Sequence, residues 1–189
     1  MKRSVMNQSL SFFLFSFLIA FCPFINSTLT GQWQIETAGN GCSGSIAVDS
    51  TGKVYIAYIN SPYSYGDVVV AVREGGQWSH TTLPGNGESN GVSMALDGDG
   101  YPHIIYAEGN PSDFNFYLKY ITLTELGWSS PETIVTTETD MMAWSPTIQI
   151  DKNDQVHITY LLTGADAGTG EIYYLTDSSG DWESTKLND

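Results

Sequence analysis

Side chains able to meet a ligand gather in a few stretches of the 189-residue chain. "NSPYSYGD", "EGNPSDFN" and "TGADAGTGE" carry Tyr63, Tyr65, Asp67, Asp113, Phe114 and Asp166. Trp144, in "MMAWSPT", joins them as the one tryptophan that stands outside a repeated position. Aromatic faces beside carboxylates suit sugar rings, whose C–H faces stack while their hydroxyls bond to acids. These seven residues form the expected ligand-binding set. Trp144 keeps a second reading, as a plug over the top of a core. His103 and His157 occupy one column of the repeat described below, flanked by Ile and Tyr, and read as core residues.

Other chemistries lack their parts. No GxSxG elbow, phosphate loop or HExxH pair occurs. Beyond Lys2 and Arg3 the chain holds a single arginine, Arg73, so no set of guanidinium forks converges on a carboxylate. "DGDGY", with Asp97 and Asp99, resembles part of a calcium loop. Such loops need six to eight oxygens, and the matching turns "DSTGK" and "DKNDQ" lack the second acid at the place of Asp99, so the reading is a turn and no metal or cofactor is expected. No catalytic residue is assigned.

The N-terminus reads "MKRSVMNQSLSFFLFSFLIAFC": a basic start, a short apolar run and then Pro23. That is the layout of a secretory signal peptide over residues 1–27, too short for a membrane span. A secreted, periplasmic or cell-surface location follows, with no membrane partner after cleavage. Cys22 lies in the leader, which leaves Cys42 without an internal disulfide partner. The leader contains two bases and no acid, so the mature chain carries 21 acids against five bases, 21 − 5 = 16, for a charge of about −16. That excludes nucleic acid and anionic membrane, which want a basic face. A glycan or an extracellular protein is the expected partner.

The elements that must position these residues announce themselves by repetition. "VDSTGKVYIAY", "LDGDGYPHIIY" and "IDKNDQVHITY" are three copies of one pattern, with Asp49, Asp97 and Asp151 aligned and Trp78, Trp128 and Trp182 following. A repeat of about fifty residues rich in aromatics and Gly marks stacked sheet units. Each unit reads as four short strands; in the first they cover about 44–49, 53–59, 68–73 and 77–83. The expected fold is an all-β, β-propeller arrangement of three four-stranded antiparallel blades at about 41–86, 87–138 and 139–189, within a propeller segment 28–189. Tyr58, Tyr106 and Tyr160 recur in every unit and read as core.

"SIAVDSTGKVYIAY" and its echoes resemble the secreted bacterial propeller repeats of the sialidase-like superfamily. The turns "REGGQW", "LTELGW" and "TDSSGDW" resemble worn forms of that family's Asp-box, with Asp177, Gly180 and Trp182 coming nearest. The resemblance covers about residue 31 to the end and implies the fold. Sialidases hold their substrate with three arginines, and one arginine does not make that site. The resemblance therefore implies a glycan- or protein-binding propeller segment. The alternative is the N-terminal part of a carbohydrate-active enzyme, a glycoside hydrolase or polysaccharide lyase.

"GQWQIETAGNG" at 31–41 matches "GQWSHTTLPGN" at 76–86. A further outer strand, about 31–39 around Trp33, is thus expected ahead of the first blade. It has no first three strands of its own, and three blades fall short of the usual four. The expectation is an open arc from a truncated six- to eight-bladed ring, completed by missing C-terminal blades or by an oligomer.

Overall fold

A computed structural model describes residues 34–187, apart from 64, 111–114, 139 and 165–169. The leader, Trp33, Asp113, Phe114 and Asp166 lie outside the described residues. The chain divides into Met1–Ile35 and Glu36–Asp189, and the strands of the described residues lie in the second unit.

The strands follow from alternation and from what interrupts it. In "VYIAYI" every second side chain is buried, as a half-buried pleat requires. The first sheet runs in chain order: β1 (Cys42–Val48), β2 (Val54–Ile59), β3 (Val68–Glu74) and β4 (Gln77–Thr82). The second holds β5 (Ser89–Leu96), β6 (Pro102–Asn110) and β7 (Asn115–Thr124); its fourth place is shared by β8 (Gly127–Trp128) and β9 (Glu132–Thr136). Pro131 falls at the break, where its missing N–H cannot continue the ladder. The third sheet is β10 (Met141–Ile150), β11 (Val156–Gly164), β12 (Gly170–Thr176) and β13 (Glu183–Lys186). All pairings are antiparallel. No helix occurs among the described residues. The architecture is all-β, three four-stranded units in series, as the repeat predicts.

The sheets stack face to face, and this decides which strand is apolar on both sides. Tyr55, Ala57 and Ile59 of the first sheet pack against Met94, Ile104 and Tyr106 of the second. Ile105 and Ala107, on the second sheet's other face, pack against Ile148, Ile158 and Tyr160 of the third. The middle sheet is therefore covered twice, and Ile104, Ile105, Tyr106 and Ala107 are buried without a break.

Each seam between sheets is also pinned by polar groups. Ser45 Oγ accepts the Met94 N–H at 3.0 Å, and Ser93 Oγ accepts the Ile148 N–H at 3.2 Å. The ring of Trp182 meets Tyr120 edge-on at 5.2 Å, while its Nε1–H donates to Glu132 at 3.2 Å. Trp128 packs into the core of the first seam.

The turns joining first to second strands are built alike. Oδ1 of Asp49, Asp97 and Asp151 accepts backbone N–H groups two and four residues on. These donors hold two of the carboxyls below the usual aspartate range: foremost the Thr51 hydroxyl for Asp49, and foremost the Gln155 N–H for Asp151. The residue after the tip needs a left-handed backbone. Gly52 and Gly100 supply it at φ 86, and Asp154 takes it at φ 61. Asp154 compensates by accepting the Gly98 N–H of the neighbouring turn at 2.7 Å.

Residues 34–39, the described part of the expected outer strand, form no strand. Side chains tie this segment to the first sheet instead. Glu36 accepts from Arg73 Nε and Nη2, each at 2.8 Å, and from Trp78 Nε1 at 3.3 Å. That last bond repeats Glu132 with Trp182, so the segment meets the first sheet as the outer strand of the second sheet meets the third. The chain then crosses Tyr58 closely: a Cβ on Gly39 would lie 2.3 Å from the Tyr58 hydroxyl, and one on Gly41 2.0 Å from the Ile59 carbonyl. Tyr58 is thus partly covered by this crossing, whereas Tyr106 and Tyr160 are buried between sheets.

Candidate functional site

Of the expected ligand residues, Tyr63, Tyr65, Asp67 and Trp144 lie among the described residues. Tyr63 and Tyr65 stand out from the loop joining β2 to β3, 82% and 42% exposed. Asp67 closes that loop, where its N–H donates to Asn60 Oδ1 at 3.0 Å and its carbonyl accepts the Asn60 N–H at 3.0 Å. The Cys42 thiol donates to the Tyr63 carbonyl at 2.8 Å. Trp144 is half-buried against Phe116, ring centres 6.0 Å apart. A bulge in β10 between Trp144 and Thr147 puts it there, with Ser145 at φ 48. Matching bulges occur in β1 and β5.

The two histidines serve the turns. His103 Nδ1 is bonded to the Tyr120 hydroxyl and its Nε2 lies 3.3 Å from Asp97 Oδ2. His157 repeats the pattern, 2.7 Å from the Tyr174 hydroxyl and 3.8 Å from Asp151. They are partly buried rather than sealed between sheets, because the column they share lies beside the turn aspartate. Burial, with the nearby Asp177, Glu132 and Asp97 carboxylates, pushes the Tyr120 phenol up.

A place outside the expected set brings aromatic and charged groups together. A cleft of about 350 Å³ opens between the second and third sheets, lined by Val135, Thr136, Thr137, Glu138, Met141, Tyr160, Leu162, Glu171 and Tyr173. Tyr160 and Tyr173 face each other across β11 and β12, rings 5.3 Å apart and 17° from parallel. Glu171 stands at the edge. Its carboxylate accepts from Lys186 Nζ at 2.5 Å and from the Tyr173 hydroxyl at 2.9 Å. Lys186 first, then Tyr173, holds this carboxyl below the usual glutamate range, and the Lys186 ammonium is raised in return. The Tyr173 phenol is raised, foremost by its bond to Glu171. Thr137 fixes the opposite wall: its Oγ1 accepts the Phe116 N–H at 2.9 Å and donates to the Phe116 carbonyl at 3.1 Å.

Sequence reasoning placed Tyr160 in the core and passed over Glu171, Tyr173 and Lys186. The available signal was a break in the repeat: Leu162 stands where the second unit has Glu108. The space between the inner strands β1, β5 and β10 is different in kind. It is lined by Ile46, Ala47, Val48, Met94, Ala95, Leu96, Gln149 and Ile150, with no ionisable side chain.

No family model matches the chain, and no curated protein matches it in sequence. Solved structures do match in fold. A fucose lectin from Kordia zhangzhouensis, in complex with methyl-fucoside, is 17% identical with a TM-score of 0.51, covering 77% of this chain and 99% of the lectin. An α-L-arabinanase from Penicillium chrysogenum, complexed with arabinobiose, is 15% identical with a TM-score of 0.57, covering 85% of this chain and 52% of the enzyme. An endo-arabinase from Bacteroides thetaiotaomicron is 12% identical with a TM-score of 0.53, covering 83% of this chain and 66% of the enzyme. The chain thus spans nearly all of that lectin and between half and two thirds of the two enzymes. At these identities the likeness is one of fold: the sheets are arranged as propeller blades.

Proposed function

We propose that this chain is a glycan-binding propeller module acting outside the cytoplasm. The observation that carries the reading is the cleft between the second and third sheets, where a tyrosine pair meets a carboxylate–ammonium pair. Its volume suits one or two sugar residues. An apolar sugar face packs against an aromatic ring, and the hydroxyls find acceptors and donors on Glu171 and Lys186. The fucose lectin of the same fold supports the reading, as does the leader-like N-terminus. The repeats are proposed to be worn sialidase-like ones. In the turn from β12 to β13, Asp177 Oδ1 accepts the Val156 N–H at 3.0 Å, the Gly180 N–H donates to the Asp177 carbonyl at 2.9 Å, and Trp182 follows.

The arabinanases favour a second reading, a fragment of a carbohydrate-active enzyme. Glu138 and Glu171 line the same cleft, and hydrolysis of a glycosidic bond uses two carboxylates. One of them must act as an acid, with its pKa raised. Lys186 and Tyr173 move Glu171 the opposite way, which suits an acceptor for hydroxyls. The apolar lining between the inner strands offers no acid–base pair either.

A glycan array probed with the whole chain, beside a reducing-end release assay on the same glycans, tests the choice. Binding without release is expected. Release of reducing ends, abolished by Glu138→Gln, would establish the enzyme instead.

A further inference from the structure

The cleft's charges narrow the class of glycan. Among the described residues no cation lines the cleft; Lys186 stands behind its rim, bonded to Glu171 at 2.5 Å. The ionisable lining groups are Glu138, Glu171 and the two tyrosines. The chain around them carries a net charge of −14, or more without the leader. A uronate or a sulfate placed here would face two carboxylates and find no free cation. Repulsion of that kind is how a site rejects the wrong partner.

An uncharged sugar meets no such obstacle. Two neighbouring ring hydroxyls match a carboxylate beside an ammonium: each hydroxyl donates to a Glu171 oxygen and accepts from Lys186, which keeps donors to spare. Tyr173 fixes the geometry, because its hydroxyl holds the Glu171 carboxylate in place while its ring stacks on Tyr160. The opposite wall of Thr136, Thr137 and Met141 adds a hydroxyl-bearing and apolar surface. Glu171 stays ionised at neutral pH, since Lys186 holds its pKa down, so the acceptor is present under ordinary conditions.

We infer that the cleft between the second and third sheets takes an uncharged saccharide, gripped through two adjacent hydroxyls by the Glu171–Lys186 pair, and turns away uronate- and sulfate-bearing glycans. This rests on the glycan-binding reading above.

The test uses the whole chain on an array carrying neutral, uronate-bearing and sulfated oligosaccharides. Hits are then titrated by calorimetry with wild type, Glu171→Gln and Tyr173→Ala, and circular dichroism confirms that each variant is folded. The expected result is neutral hits whose Kd weakens at least tenfold in both variants and stays unchanged between low and high salt, because no charge pair forms with the ligand. Hits confined to acidic glycans would overturn the inference and leave the glycan reading standing. Neutral hits unmoved by either variant would place the sugar elsewhere and overturn it too. No hits of any kind would overturn the glycan reading itself. Should Tyr173→Ala lose its fold, Tyr173→Phe keeps the ring and removes only the bond to Glu171, and a weakened Kd is again expected.

Discussion

Two seams of the same repeat end differently. Between the first and second sheets, the Tyr106 hydroxyl donates to the Pro84 carbonyl at 3.1 Å. Below it lies Glu108, 7% exposed, which accepts the Asn86 N–H at 3.2 Å and stands 3.9 Å from Lys119. The Asn86 side chain donates to the Gly109 carbonyl at 2.9 Å and accepts the Glu88 N–H at 2.9 Å. The linking loop is thereby tied down over a buried carboxylate. Between the second and third sheets, Tyr160 and Leu162 take the places of Tyr106 and Glu108. Leucine offers no acceptor to the linking loop, and a cleft remains. A carboxylate, an ammonium and a tyrosine reappear there, but as Glu171, Lys186 and Tyr173, on the third and fourth strands of their sheet. Closing one seam needed a buried acceptor. Where the acceptor stands further out, a cleft remains.

Truncating the two tyrosines gives the strongest test of this contrast. Tyr106→Ala removes a ring packed on every side and should cost about 3–5 kcal/mol. Tyr160→Ala, beside existing space, should cost about 2 kcal/mol, since the cleft already lacks packing partners on one side. The midpoints of urea denaturation read both, and equal losses would mean the seams are packed alike.

A smaller effect is expected at the acceptor. Glu108→Leu copies the third unit into the second. It strands the Asn86 N–H and should lower stability by about 1–2 kcal/mol. Without that acceptor the loop should loosen, and amide exchange at Asn86 and Glu88 should accelerate in this variant. A variant as stable as wild type, with unchanged exchange, would show that Glu108 does not hold the loop.

The smallest effect comes with alkali. Burial first, then Glu108, raises the Tyr106 phenol, and burial likewise raises Tyr120. A group with a raised folded pKa contributes stability that is complete below its unfolded value, about 10 for tyrosine, and is lost as pH rises toward the folded value. Tm should therefore be flat up to about pH 9 and fall above pH 10, with tyrosinate absorbance rising together with unfolding. Tyr106→Phe should flatten the decline. A decline unchanged in that variant would assign it to other groups.

Part of the molecule was legible as letters. The turn aspartates, the alternation in "KVYIAY" and the repeated tryptophans set the strand order and the stacking of like units, because those depend on local backbone chemistry and on a period of two. Trp144 could be placed on a first strand but not oriented, since a bulge re-aims it toward Phe116. The cleft could not be read at all. It depends on which faces of neighbouring sheets meet, on a leucine in place of a carboxylate, and on Glu171 and Lys186 being adjacent across β12 and β13 while fifteen residues apart in the chain. Sequence determined the units through local periodicity. Only the tertiary structure decided the site, because a seam between sheets belongs to two units at once and no single repeat encodes it.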